Sequence, residues 1–138
     1  MRVALGTDEH TPLLDELAAQ LAGSGHEAVV VADGDPWPEV GRAVGEAVAS
    51  GRAERGVVCC WTGTGVSIAA NKVPGVRAAL CTDAETARGA RRWNDANVLA
   101  LGLRLTSGAV AREALAAFLD TEVDESEREA IGRLGEGR

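Results

Sequence analysis

Aromatic residues are scarce in this sequence, which has no tyrosine and a single phenylalanine. They make up 3% of its 138 residues, so a core must be built from Val, Leu, Ile and Ala. No Lys- or Arg-rich run is present and the formal net charge is −7, which argues against nucleic acid or an anionic membrane as a partner. No apolar run approaches the roughly 18 residues of a membrane span, and the N-terminus lacks a signal-peptide pattern.

Cysteine and histidine are also few. The three cysteines are Cys59, Cys60 and Cys81, an odd number with two of them adjacent, which is not a disulfide framework. Reduced thiols and a cytoplasmic setting are therefore expected. The two histidines, His10 and His26, are far apart, so no zinc-ligand spacing exists and neither a metal nor another cofactor is predicted.

What the sequence does contain is a regular alternation of apolar strands and amphipathic helices. Strands are predicted over 2–7, 28–32, 56–60, 76–81 and 97–102, with helices between them and a last acidic helix over about 125–134. The Val run of the second strand is typical of a strand covered on both faces, and Thr82 to Glu85 match a capping box. This pattern predicts one α/β domain over 1–138, a three-layer fold with five parallel strands and helices on both faces.

Polar residues follow several of these strands. Ligands of such sheets bind beyond the carboxyl ends of the strands. That rule brings together Asp8 to His10, Trp37 and Cys60 to Ser67, and it would add Trp93 to Asp95.

The stretch after the third strand carries the chemistry. Val57–Cys60 is an apolar run, Thr62–Gly65 is a small-residue turn, and an apolar helix follows. The backbone N–H groups of Gly63, Thr64, Gly65 and Val66 can point at an anion on the helix N-terminus. Glycine-rich turns also occur for packing reasons alone, and the turn lacks the Gly-Lys-Ser/Thr ending of a nucleotide-binding loop.

Cys60 and Asp8 are the candidates for proton transfer. Adjacent strand residues point to opposite faces, so one of the two neighbouring cysteines can be a core residue, as is predicted for Cys81. Cys60 ends its strand before a helix N-terminus, a placement that favours the thiolate. Asp8 is either a turn former or a second polar group beside Cys60. Together they support proton transfer without a metal.

The segments Cys60–Lys72, Arg77–Cys81 and Asn94–Gly102 resemble ribose-5-phosphate isomerase B, a family that includes the galactose-6-phosphate isomerase subunits. The resemblance runs in order over nearly the whole chain. It implies a Rossmann-like fold, a homodimer or tetramer with sites at the subunit interface, and a helix over about 124–135 that contacts the partner. It also implies metal-free aldose–ketose isomerisation of a small sugar or sugar phosphate through an enediolate.

The resemblance assigns roles as well. Cys60 matches the base that removes the proton next to the carbonyl, with Thr62 beside it and Asp8 assisting ring opening and hydroxyl binding. Some relatives use a glutamate at the position of Val66. The amides of Gly63, Thr64, Gly65, Val66 and Ser67 would hold the enediolate oxygens, and Asn94, His10, Glu9, Trp37, Trp93 and Arg104 would contact the substrate.

Several positions depart from the family pattern. Trp93 replaces the ring-opening histidine, and Glu129 and Ala130 stand where phosphate-binding arginines would fall. Losing a bidentate phosphate clamp is not a conservative change. Proton abstraction is therefore predicted to be intact, whereas ring opening and phosphate recognition are predicted to be altered.

Two hypotheses follow. The leading one is an aldose–ketose isomerase with ribose 5-phosphate as the default substrate, although a short open-chain sugar, or one without phosphate, better explains Trp93 and the acidic tail. The other is a catalytically silent paralogue that binds a sugar-like ligand or partners an active subunit.

Overall fold

A computed structural model describes residues 1–135, which form five strands and six α-helices. In chain order the elements are β1 Arg2–Thr7, α1 Pro12–Gly23, β2 Glu27–Asp33, α2 Trp37–Ala49, β3 Arg55–Cys60, α3 Thr64–Asn71, β4 Ala78–Leu80, α4 Ala84–Asn94, β5 Val98–Gly102, α5 Gly108–Asp120, a short 3₁₀ turn Glu125–Glu127 and α6 Arg128–Gly132. No helix in this range is long and apolar enough to cross a membrane.

The sheet is parallel throughout, with strand order β2-β1-β3-β5-β4, which confirms the predicted doubly wound α/β fold. The chain begins with β1 inside the sheet and adds β2 at one edge. It then crosses to the other side of β1 and adds β3, β4 and β5 there. The strand order therefore reverses between β1 and β3. Ligands of open α/β sheets bind at this point, beyond the carboxyl ends of the two strands.

Two apolar cores lie on the two faces of the sheet. One packs α1, α4 and α5 against strand residues such as Leu5 and Leu101, with Phe118 fully buried among them. The other packs α2 and α3 against residues such as Val58 and Ala100. Side chains alternate between the faces, because successive strand residues point to opposite sides.

Helices α2 and α3 approach each other very closely. A Cβ added at Gly41 of α2 would lie 2.5 Å from the Ala69 Cβ, 2.8 Å from the Val66 carbonyl oxygen and 2.8 Å from the Ala70 nitrogen. Gly45 of the same helix meets Val73 in the same way. Because these neighbours include the backbone of α3, the glycines of α2 set where α3 lies.

The structure differs from the predicted elements in four places. The fourth strand, predicted over 76–81, is limited to Ala78–Leu80. Asp83, not Thr82, caps α4, since its carboxylate accepts from the Thr86 amide at 2.8 Å. The Val run of β2 forms an edge strand with one face partly exposed, so its predicted burial on both faces is wrong. The last helix is interrupted, with a 3₁₀ turn before the short α6.

Candidate active site

Cys60 ends β3 at the point where the strand order reverses. Its side chain is 5% exposed and belongs to the core of α2 and α3, together with Val66. Cys59 faces the opposite core, so the adjacent cysteines do point to opposite faces. The carbonyl of Cys60 accepts from the Leu103 amide at 2.9 Å, which fixes the strand end against the segment that follows β5.

The other two thiols are held in their protonated form. Burial, with smaller contributions from Cys60 and Asp8, raises the pKa of Cys59 to about 12. Burial and the charge of Asp83 raise the pKa of Cys81 to about 11. Both residues are core cysteines by position and by chemistry.

The turn after Cys60 requires glycine. Gly63 has φ of 77°, and a Cβ there would lie 2.5 Å from Leu80 Cδ1 and 2.9 Å from the Gly102 nitrogen. The left-handed conformation and the backbone contact both exclude a side chain. This close fit against β4 and β5 holds the turn rigidly over the sheet.

The first turn of α3 has no side-chain cap. Gly63 occupies the N-cap position and offers no acceptor, while the Thr62 and Thr64 hydroxyls are 2.7 Å from each other. The first N–H groups of a helix have no intrahelical partner, so an anion can bind there. These are the amides of Gly63, Thr64, Gly65 and Val66. The Ser67 amide donates to the Gly63 carbonyl at 3.3 Å, and its contact with an enediolate oxygen stays a prediction.

Asp8 is the polar neighbour of Cys60. The pairing of Thr7 with Cys59 continues through the Asp8 amide, which donates to the Cys59 carbonyl at 3.2 Å. Adjacent strands are about 4.8 Å apart, so Asp8 and Cys60 stand side by side. One carboxylate oxygen, Oδ1, is buried without a hydrogen-bond partner among the residues described. Burial and the charge of Glu9 raise the pKa of Asp8. A buried, unpaired oxygen of this kind is suited to a ligand hydroxyl.

Trp37 forms a wall of the site. It begins α2, and its indole atoms lie 2.9–3.4 Å from where a Cβ of Gly65 would stand. The ring therefore covers the first turn of α3. It keeps one edge exposed to solvent.

His10 and Glu9 turn away from Cys60. Both Asp33 carboxylate oxygens lie 3.0 Å from His10 Nδ1, and Asp33 ends β2, on the far side of β1 from β3. Glu9 lines a cavity of about 270 Å³ next to Trp61, on the side of α1 and α5. Of the three polar residues that follow β1, only Asp8 borders Cys60.

Trp93 and Asn94 lie elsewhere. They end α4, and the next residues lead to the amino end of β5, so grouping them with the carboxyl ends of the strands is wrong. Trp93 packs on Gly89 and lines a cavity of about 550 Å³ beyond β4. Because α4 covers the opposite face from α3, neither residue faces Cys60 of the same chain. The prediction missed this because a helix of a parallel sheet runs against the strands.

Arg104 and the two arginines of the C-terminal segment differ in their partners. Arg104 follows β5, its amide donates to the Trp61 carbonyl at 2.9 Å, and its guanidinium binds no other residue described here. Arg128 pairs with Asp95 and Glu125, and Arg133 pairs with Glu129. The two tail arginines are therefore occupied.

A thiol, a carboxylate with one buried and unpaired oxygen, and an uncapped helix N-terminus thus meet where the sheet reverses its order. This combination defines a class of small-molecule α/β enzymes, in which a side-chain base removes a proton while backbone amides stabilise the resulting oxyanion. Between residues 1 and 135 no group of His, Cys, Asp or Glu is arranged to hold a metal ion.

The sequence profile of the family described as Ribose/Galactose Isomerase matches residues 3–134, and the chain belongs to this family of aldose–ketose isomerases. The family predicted from the sequence is confirmed. The structure superposes on ribose-5-phosphate isomerase B of Clostridium thermocellum with a TM-score of 0.93 and 38% identity, covering 98% of this chain and 95% of that one.

Two relatives act on smaller molecules, according to their names. The chain is 42% identical over 88 residues to D-erythrulose-4-phosphate isomerase of Pectobacterium atrosepticum, a match that covers 64% of this chain and only 58% of that protein. It is 35% identical over 132 residues to 4-deoxy-4-sulfo-D-erythrose isomerase of a Clostridium species, covering 91% of this chain and 83% of that protein.

Proposed function

We propose that this protein interconverts the aldose and ketose forms of an open-chain four-carbon sugar that carries an anionic group on its last carbon. The observation that carries this proposal is the position of Cys60. It lies between the unpaired Asp8 carboxylate oxygen and the uncapped first turn of α3.

The reaction is a proton transfer between neighbouring carbons. The Cys60 thiolate removes the proton from the carbon next to the carbonyl, and negative charge develops on the carbonyl oxygen. The amides of Gly63 to Val66, at the positive end of α3, stabilise that oxygen. Asp8 accepts a hydrogen bond from a substrate hydroxyl, and the Thr62 hydroxyl is available to the second oxygen. The hydroxyl proton on the neighbouring carbon's oxygen then passes to the former carbonyl oxygen, so that the neighbouring carbon becomes the new carbonyl. Cys60 returns the first proton to the former carbonyl carbon, which completes the isomerisation and regenerates the thiolate.

Trp93, at the position of the family's ring-opening histidine, bears on the length of the substrate. A four-carbon aldose closes a five-membered ring only through the oxygen on its fourth carbon, and a phosphate or sulfonate at that carbon prevents closure. No acid or base is then needed to open a ring. Trp93, which supplies neither, is compatible with such a substrate. The four-carbon substrates named for two relatives support the same assignment.

Arg104 is the cation available to the anionic group. Its backbone is fixed beside Trp61, next to the Cys60 turn, and its guanidinium is not engaged by the described residues. The tail arginines are neutralised by carboxylates instead, as Arg133 is by Glu129 at 2.8 Å. A single arginine next to the site suits a small head group close to the reacting carbons.

A second copy of the chain completes the site. Asn94 and Trp93 do not face Cys60 of their own chain, so they reach an active site only across an interface. Exposed apolar side chains border the β4 edge of the sheet, as that interface requires. They are Ile68, Leu80, Trp93 and Leu134. The proposed assembly is therefore a homodimer joined along this edge.

The test is an isomerisation assay that compares D-erythrulose 4-phosphate with ribose 5-phosphate, with proton exchange in deuterated water followed by NMR. We expect the four-carbon substrate to be preferred by at least about tenfold in kcat/KM. Cys60→Ala should lower turnover by about 10²- to 10⁴-fold, the usual contribution of a general base. Cys59→Ala is the matched control, because Cys59 is equally buried on the opposite face.

Two results would overturn the proposal. Unchanged turnover in Cys60→Ala removes the thiol from the mechanism. Binding of the sugars without any proton exchange identifies the protein as a silent, ligand-binding member of the family.

A further inference from the structure

Asp95 is the meeting point of three arginines, one from its own helix and two from distant parts of the chain. Its Oδ1 accepts from Arg91 Nη1 at 2.8 Å, while Oδ2 accepts from Arg128 Nη1 at 3.2 Å and Arg77 Nη2 at 3.4 Å. It caps α4 with φ of 48°, the only positive φ of a non-glycine residue within 1–135. Asp and Asn tolerate this conformation better than other side chains, so the position suits Asp sterically as well as electrostatically.

One side of this cluster is rigid. Arg91 is 2% exposed, donates to the Ala96 carbonyl at 2.7 Å and to the Thr121 carbonyl at 3.1 Å, and stacks over the Phe118 ring. A buried guanidinium must keep its carboxylate partner, since an unpaired charge in the interior is strongly destabilising. Arg91 therefore fixes the position of the Asp95 carboxylate.

The other side is a loosely attached segment, residues 124–134, called here the terminal segment. None of the residues in its 3₁₀ turn or in α6 is buried. Within the described part of the chain, two polar contacts join it to the domain. They are the Arg128–Asp95 pair and the Asp124 amide, which donates to the Arg92 carbonyl at 2.8 Å. Among the residues described, Arg128 thus makes the one polar side-chain contact between this segment and the domain.

Asn94 directly precedes Asp95, and it lines a cavity of about 390 Å³ together with Arg77 of the cluster and Leu134 of the terminal segment. We infer that Asp95 is a positioning residue that holds Asn94 and the terminal segment together as one unit. In the proposed homodimer this unit faces the active site of the second copy, and the expected effect on KM therefore rests on the function proposed above. Asp95 itself touches no reacting atom.

The experiment uses the full chain with Arg128→Ala, Asp95→Asn and Arg133→Ala. Arg133→Ala is the matched control, because it removes an arginine–glutamate pair that is internal to the same segment. We expect Arg128→Ala and Asp95→Asn to speed amide hydrogen exchange in the terminal segment and to raise KM by about tenfold, which corresponds to about 1.4 kcal/mol. Their kcat should stay within about twofold of the native value. Arg133→Ala should change neither measurement.

A merely structural role would give a different result. It would lower the active fraction, and so kcat, while leaving KM as it was. Native exchange rates in Arg128→Ala, or an unchanged KM with faster exchange, would overturn the inference, and Arg128→Ala decides the matter even if Asp95→Asn fails to fold. If no sugar is turned over by the native protein, the proposed function fails, and the exchange rates alone decide whether Asp95 fastens the segment.

Discussion

Gly41→Ala is the substitution that most directly tests whether α2 holds α3, and with it the amides of Gly63 to Val66, in place. The added Cβ would stand 2.5 Å from the Ala69 Cβ and 2.8 Å from backbone atoms of α3. An ordinary contact begins at 3.4 Å, so the two helices must separate by about 0.9 Å. Backbone cannot rotate out of the way as a flexible side chain would, and α3 must therefore move.

The cost can be worked from two opposing effects. Overpacking of this kind costs up to about 3 kcal/mol, whereas replacing glycine by alanine inside a helix gains about 1 kcal/mol. The net loss of unfolding free energy is therefore up to about 2 kcal/mol. A shift approaching 1 Å in the first turn of α3 also displaces the amides beside Cys60, and misplacement on that scale lowers kcat by up to about 100-fold.

The assay measures urea unfolding and kcat at one protein concentration, since the unfolding of an oligomer depends on concentration. Gly23→Ala in α1 is the matched control, because a Cβ there meets nothing within 4 Å. It should stabilise the protein by about 0.4–1 kcal/mol. Adding Ala69→Gly to the Gly41→Ala variant should recover part of both losses by removing the nearest clash. Native stability in Gly41→Ala refutes the packing argument, and lost stability with native kcat refutes the link to the turn.

Two further predictions concern titration. Asp8→Asn should lower activity but raise the unfolding temperature at pH 7. Because the pKa of Asp8 is raised in the folded protein, the protonated carboxyl stabilises the fold. This contribution is fully present below the pKa of Asp8 in the unfolded chain and is lost as the pH rises through its pKa in the folded protein. At pH 7 the charged Asp8 is therefore destabilising, and removing its charge stabilises the protein. The difference in unfolding temperature between Asp8→Asn and the native protein should therefore disappear as the pH falls towards 4, and a difference that persists at pH 4 contradicts this assignment. Iodoacetamide at pH 8 should modify Cys60 before Cys59 or Cys81, whose raised pKa values of about 12 and about 11 keep them protonated. Peptide mapping gives the order, and first modification of Cys81 contradicts it.

The fold was predictable because its signals are local in the sequence. The apolar run ending at Cys60 forms β3, as expected, and the neighbouring Thr11 and Ser107 hydroxyls cap α1 and α5. Each of these patterns depends on residues a few positions apart. The turn at Gly63 was likewise recognisable, since only its own residue types were needed to place it between a strand and a helix.

Side-chain direction was not predictable in the same way. His10 turns to Asp33, 23 residues further along, and Arg128 turns to Asp95, 33 residues earlier. The exposure of Val30 follows from the place of β2 at the edge of the sheet, which its Val run does not reveal. The order of residues along the chain therefore predicted which polar residues follow the carboxyl ends of the strands. It did not predict which of their side chains face Cys60.

The negative charge of the terminal segment affects where an anionic substrate can bind, but not the proton transfer at Cys60. Residues 124–134 carry four carboxylates and two guanidiniums, a net charge of −2, and both guanidiniums are paired with carboxylates. An anionic head group brought against this segment is repelled, by about 1 kcal/mol for each unpaired charge at 4 Å in water. Arg104, the cation assigned to the head group, instead follows β5, and β5 pairs with the strand that ends at Cys60. An anion bound by Arg104 would leave room for only a short carbon chain, as the proposed four-carbon substrate requires.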